Sequence, residues 1–337
     1  MPREGVFNGV VFDPNIFAGY MQEQSCLNAA IIQSGILVED PIIRSALQNA
    51  GNVGTTPFFL PVDEEGDALN YDGKTNNVPT ELKNGKQMYM AIGRQKAWKE
   101  TTFVRYLSGK SPLQNLADHL VVPYWTFQWQ QDLLAIIKGI LGVADMKSHI
   151  TDLSVASGSI TDANKISLET PLDAGQKALG DKRKEFSLFI CHSVVATRLL
   201  KLDIAQNRKF TVAGVAGEIE LKCIGDMIIL ETDDGTVDST TPNFPKYHSY
   251  MVGKGTFLTS TKTVDKPYYP DYDPETDGGI NKLYTKQARV IHPNGFSIKA
   301  DNITTESPTR EELANKDNWE LKFNHRNIRI AEIISNG

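Results

Sequence analysis

This 337-residue chain has little chemistry of the reactive kind. Its three cysteines, Cys26, Cys191 and Cys223, are odd in number and widely spaced. That excludes a disulfide framework and a zinc motif, and leaves buried thiols in a reducing cytoplasm. No apolar run approaches the ~20 residues of a membrane span. The stretch 133–140 is short, and Lys138 interrupts it. The opening MPREGVFNGVVFDP has no basic region followed by an apolar core, so no export signal is read there. A net charge of -6 argues against tight, sequence-independent nucleic-acid binding, which needs clustered Lys and Arg.

Catalytic patterns are missing too. The six histidines, His119, His149, His192, His248, His292 and His325, are scattered, with no HExxH and no GxSxG. Gly109-Lys110-Ser111 ends like a phosphate loop, but Val104 stands where that loop needs glycine, and Pro112 removes a donor. Gly253-Lys254-Gly255 lacks the third glycine of a dinucleotide turn. Asp273, Glu275 and Asp277 form a carboxylate ladder that follows a calcium loop through Gly278 and Ile280. Its closing acidic position falls on Tyr284 and no helix flanks it, so it reads as a solvated loop. No enzyme activity, no cofactor and no metal is expected.

What is present is length, a hydrophobic fraction of 40%, and patterning. The chain is long enough for two or three subdomains around a real core. The stretch 111–142 dominates. Apolar residues recur at Leu113, Leu116, Leu120, Tyr124, Phe127, Leu134, Ile137 and Leu141, the three-and-four spacing of one buried helical face. Ser111 and Pro112 suit its start, Gly139 and Gly142 offer stops, and Pro123 is expected to kink it. Such a helix spans about 45 Å.

Residues 1–20 form a broken, apolar arm that needs cover. Helices are expected at 22–34 and from Asp40-Pro41 onward. Phe58, Phe59, Leu60 and Val62 suggest a strand, and 63–85 is polar and turn-rich. Met88, Met90, Ile92, Arg94, Lys96 and Trp98 keep one strand parity. This predicts a long two-stranded arm, marginal alone in water and therefore resting on a neighbour. Further on, 168–179 reads as a helix and 185–204 as a helix or a strand running into one. Residues 219–231 read as buried strand, followed by an acidic loop with Asp233 and Asp234. Strand signal resumes near 247–258, and 265–280 reads as loop. Residues 282–291 and 296–303 suggest a hairpin about Pro293-Asn294-Gly295. Ser307, Pro308 and Glu311 open a capped helix, and 327–334 is a final strand. The four tryptophans read as packing anchors.

In this order, with IIQSGILVEDP at 31–41, GRQKAWKETT at 93–102, ATRLLKLDI at 196–204 and the closing SPTREELANKDNWEL and NIRIAEIISNG, the chain resembles major capsid proteins of tailed bacteriophages with the Hong Kong 97-like fold. The resemblance implies an α+β fold with four parts. These are an N-terminal arm (1–50), an extended β-hairpin loop (51–100), a peripheral domain with a spine helix (101–150 and 282–337), and an axial domain (151–281).

It implies self-assembly into pentamers and hexamers of an icosahedral shell that encloses double-stranded DNA without sequence-specific binding. Portal and scaffolding proteins, and a decoration protein, are the implied partners; no membrane is. The implied location is the virion, assembled in the host cytoplasm. Contacts between subunits are expected at Phe7, Phe12, Phe17, Met88, Met90, Ile92, Arg94, Trp98, Asp233 and Asp234. The arm begins almost at once, so any scaffold is expected to be separate or already removed. Lys74, Lys83 and Lys86 lie in the loop, but nothing identifies a partner for a Lys–Asn cross-link, and none is expected. The rival readings are an encapsulin-type nanocompartment shell and a metal-dependent soluble binding module built on the 271–278 loop.

Overall fold

The computed structural model describes residues 6–7, 10–11, 35–48, 51–59, 84–102, 121–167, 169–202, 206–211, 218–241 and 243–337. In chain order the strands are β1 Val6–Phe7, β2 Val10–Val11, β3 Leu37–Glu39, β4 Val53–Phe59, β5 Asn84–Met90, β6 Ile92–Thr101 and β7 Ile150–Asp152. They continue with β8 Phe186–Cys191, β9 Gln206–Thr211, β10 Glu218–Ile224, β11 Met227–Glu231, β12 Val237–Asp238, β13 Lys246–Gly253 and β14 Phe257–Lys262. The last are β15 Tyr268–Asp273, β16 Ile280–Pro293, β17 Phe296–Ile298, β18 Trp319–Leu321 and β19 Ile330–Ser335. The described α-helices are α1 Pro41–Gln48, α2 Val121–Leu141, α3 Thr170–Leu179, α4 Ser193–Lys201 and α5 Arg310–Ala314.

The body is an eight-stranded sheet in the order β7-β19-β13-β8-β11-β10-β9, with β12 on β13. Both faces of its centre are covered, so its strands carry apolar residues on both faces rather than on one alone. Leu188, Ile190, Ile228, Leu230, Tyr250 and Val252 point toward α2. Phe189, Cys191, Ile229, Met251, Ala331 and Ile333 point the other way, into a second core with α3 and α4. β19 lies between β13 and β7, so residues 330–335 complete the sheet formed by 186–253.

Helix α2 is about 32 Å long at 1.5 Å per residue. The expected stripe is real at Leu134, Ile137 and Leu141, but Trp125, Trp129, Leu133, Ile136 and Ile140 are buried as well. The second half of α2 is enclosed nearly all round, between the large sheet and the 310–321 segment. Gly142 follows its last turn, as expected. Gly139 does not stop it: a Cβ there would meet the Leu313 carbonyl and come within 2.7 Å of the Trp319 indole nitrogen, so it marks a close crossing. Residues 103–120, the first part of the expected helix, lie outside the described residues, as do the expected helix 22–34 and the tip 60–83.

The second sheet runs β15-β16-β14-β3, with β6 also on β16. This corrects three expectations. First, the long arm is not two-stranded throughout. β4 pairs β5 from Val53↔Met90 to Phe59↔Asn84. At Ala91, whose N–H donates to the Asn52 carbonyl at 2.7 Å, the chain then changes partner. β6 pairs β16 over ten residues. Second, 265–280 is not all loop, because β15 forms from YYPDYD; its Pro270 is tolerated on an edge strand. Third, β16 and β17 are not a hairpin. β17 turns away at Gly295, φ 94°, and pairs β18. The expectations for α1, for α3, and for a strand running into a helix at 186–201 match the observed elements.

Candidate assembly surfaces

The joint between the extended loop and the long helix is built on one buried charge. Asp132 is fully buried on α2, after Gln130 and Gln131 and just before the apolar run from Leu133 to Ile137. Arg94 of β6 grips both its oxygens at 3.2 Å, and Arg310 of α5 donates to one at 2.8 Å. The third Arg94 nitrogen, Nη1, donates to the Pro308 carbonyl at 2.8 Å. Beside it, the Ser307 hydroxyl accepts from the Gly93 N–H at 2.8 Å and donates to the Gly93 carbonyl at 3.1 Å. Three segments distant in sequence are thus locked at the loop's base. The cap of α5 is Thr309 with Glu312, a capping box two residues later than expected, because Ser307 is spent on Gly93. Three hydrogen-bonding groups of Thr304 and Thr309 hold the Glu312 carboxyl down at about 2.

The expected contact residues fall in different places. Met90 and Ile92 are 8% and 1% exposed and fill this chain's own core. Tyr89 and Ala91, on the opposite parity, are buried as well, so both faces of the chain are covered where β5 passes into β6. Met88 and Trp98 are half-buried against the same core, Trp98 edge-on to Tyr124 at 5.3 Å. Arg94 is committed to Asp132. Phe7 pairs Val10 in the small β1–β2 hairpin, whereas Phe12 and Phe17 lie outside the described residues. So do Lys74 and Lys83.

The acidic loop leaves the sheet after β11. The Asp233 carboxylate accepts the Ser193 N–H at 2.9 Å, and its bonds to Ser193 hold it below the usual carboxylate range. It thereby satisfies a free donor at the start of α4. Asp234 is exposed.

The ladder at 273–277 is already engaged. Lys282 donates to Asp273 at 3.0 Å, Thr276 at 2.9 Å and the Glu275 N–H at 3.1 Å, pulling that carboxyl down to about 2. Glu275 and Asp277 are exposed, and among the described residues no three ligand-type side chains converge. The neighbouring ribbon of β15 and β16 carries four exposed rings, Tyr268, Tyr269, Tyr272 and Tyr284, with Tyr269 directly opposite Tyr284. The sequence reading missed this ribbon, since it took the segment for loop. It also missed the Asp132 joint, although a lone aspartate inside an apolar helix is the signal that would have found it.

No helix among the described residues is long and apolar enough to cross a membrane. No family model matches the chain. Its architecture matches the capsid of cyanophage Pam1 with a TM-score of 0.51 at 7% identity, over 90% of this chain and 88% of that one. The capsid of Ralstonia phage GP4 matches with a TM-score of 0.51 at 9% identity, over 90% of both chains. The protein therefore has the Hong Kong 97-like fold of phage capsids. In sequence it is 26% identical over 326 residues to the major capsid protein of Bacillus phage SPP1, which spans 96% of this chain and 95% of that protein. The chain is a major capsid protein of a tailed bacteriophage.

Proposed function

We propose that this chain closes into rings of five and six that tile an icosahedral head around packaged double-stranded DNA. The sequence relationship to a phage major capsid protein along nearly the whole chain carries the reading. Residues 151–281 form the axial part, joined by β19; 101–150 with most of 282–337 form the peripheral part around α2. The arm, through Phe7, Phe12 and Phe17, and the loop 51–100 lie on neighbouring copies.

The locked base at Arg94 and Asp132 supports this, because a projecting loop aims at a neighbour only if its root is rigid. Asp233 and Asp234 ring the axis of each capsomer, where their mutual repulsion is moderated by water and the local pairing of Asp233. Many weak contacts repeated around a closed shell become collectively strong. Portal, scaffolding and decoration proteins complete the head, which assembles in the host cytoplasm. Electron microscopy of the purified protein tests the proposal. Rings or closed shells are expected; a compact monomer indifferent to concentration overturns it.

A further inference from the structure

One end of the large sheet is positive although the chain as a whole carries -6. The segments 177–185 and 322–329 hold seven Lys and Arg against two carboxylates, Asp181 and Glu185. Glu185 is already paired with Arg329. Lys182, Arg183, Lys184 and Arg326 are exposed, and among the described residues no carboxylate pairs with any of them. Two adjoining cavities, of about 260 and about 620 Å³, open here and share Lys182 and Arg326, so they form one groove.

The groove lies before the first residue of β8. The acidic loop with Asp233 and Asp234 sits beyond the last residue of that strand, about 20 Å away at the usual rise. The charge is therefore polarised along the sheet. A polyanion is attracted to one end and repelled from the other.

The rest of the lining decides which polyanion fits. Besides the cations, Ser148, Gln176, Thr256, Asn294 and Asn327 face the groove. Hydroxyls and amides beside Lys and Arg are the donor set that grips phosphate oxygens without reading bases. A protein partner needs an apolar or aromatic anchor. Of the two rings in the lining, Phe323 is packed edge-on against Phe58 at 4.8 Å and His325 edge-on against His149 at 5.5 Å, and Ala178 and Leu179 are buried.

We propose that this groove binds the phosphate backbone of duplex DNA, which makes it the face turned toward the interior of the shell. The proposal rests on the reading of the chain as a container for DNA and assigns the surface that meets the contents. Four cations on four phosphates give a salt slope near -3.6, a loss of roughly 10²-fold between about 50 and about 200 mM salt.

The test is fluorescence anisotropy of labelled duplexes of two unrelated sequences, with the full-length unassembled protein across that salt range. Equal binding of both sequences with a steep salt slope is expected. Replacing Lys182, Arg183, Lys184 and Arg326 together by alanine should flatten the slope nearly to zero with unchanged melting. Should that variant melt early, Lys182→Ala with Arg326→Ala alone, the two cations that both cavities share, takes its place, and the slope should fall by about two. Duplex binding unchanged in these variants overturns the proposal, as does tighter binding of polyglutamate than of duplex, which would assign the groove to an acidic protein segment. Micrographs of the same preparations separate the two readings. Shells without groove-dependent DNA binding overturn this inference alone, and groove-dependent binding without shells overturns the shell.

Discussion

Arg94 and Asp132, 38 residues apart in the chain, meet as a two-pronged ion pair whose carboxylate is wholly out of water. Removing Arg94 leaves the buried carboxylate with Arg310 alone. Arg94→Ala is expected to cost about 3 kcal/mol in chemical denaturation. The Glu39–Arg44 pair is the control: both side chains are about 60% exposed, and Arg44→Ala should change stability by less than about 1 kcal/mol. Equal effects would show that the joint is not what fixes the loop.

Gly139 is the narrowest point of the helix crossing. The Trp319 indole N–H donates to the Leu313 carbonyl at 2.8 Å just where a Cβ would go. In an exposed helix Gly→Ala stabilises by about 1 kcal/mol. Here Gly139→Ala is expected to destabilise by about 1–3 kcal/mol, because the backbone of α5 must move. A rise in melting temperature would refute the crossing.

Stability should fall in mild acid before the carboxylates titrate. His292 is buried, and its Nε2–H donates to Gln87 at 2.9 Å; burial pushes it down to about 3. Burial likewise holds His149 low, with its ring bonded to the Ile330 carbonyl at 2.6 Å. Below the ordinary histidine value near 6.5, the unfolded chain takes up protons that the folded chain refuses, so stability drops as pH falls from there toward 3. His292 alone removes about 2 kcal/mol by pH 5. Urea unfolding at pH 7 and pH 5 should show this loss, and His292→Gln should show less of it. Asp273 and Glu312, both held near 2, act in the same direction, but lose their contribution only in stronger acid, as pH falls below about 4.

The cap of α5 is open to a simple check. The Thr309 hydroxyl accepts the Glu312 N–H at 3.2 Å, and Glu312 returns a bond to the Thr309 N–H at 2.9 Å. Thr309→Ala is expected to cost about 1 kcal/mol, and Thr309→Ser much less. If the two variants melt alike, the hydroxyl is not the cap.

Elements with a strong local period were readable from sequence: the second half of α2, the β8–α4 unit, α3 and β19. Trp125, Trp129 and Trp319 are the packing anchors their size suggested. Partner choice was not readable. The residues of β6 show strand parity, but nothing in them says that they leave β5 for β16. Nor does the NG turn after β16 say that β17 will pair with β18. Met90 and Ile92 illustrate the ambiguity, since an apolar strand face looks the same whether its cover is the same molecule or another. Asp132 itself was a visible signal, but its partners were hidden for a related reason. Its cations come from 38 residues before it and 178 after it.

The seam between β19 and β7 sets Glu332 against Ile150, some 180 positions apart. Closing so distant a contact is entropically expensive and delays its reward, which places the protein among slow folders of high contact order. Until that seam shuts, β19 keeps a bare edge able to join the wrong strand. Many copies folding at once therefore expose many unfinished sheet edges together, the condition in which such edges join wrongly.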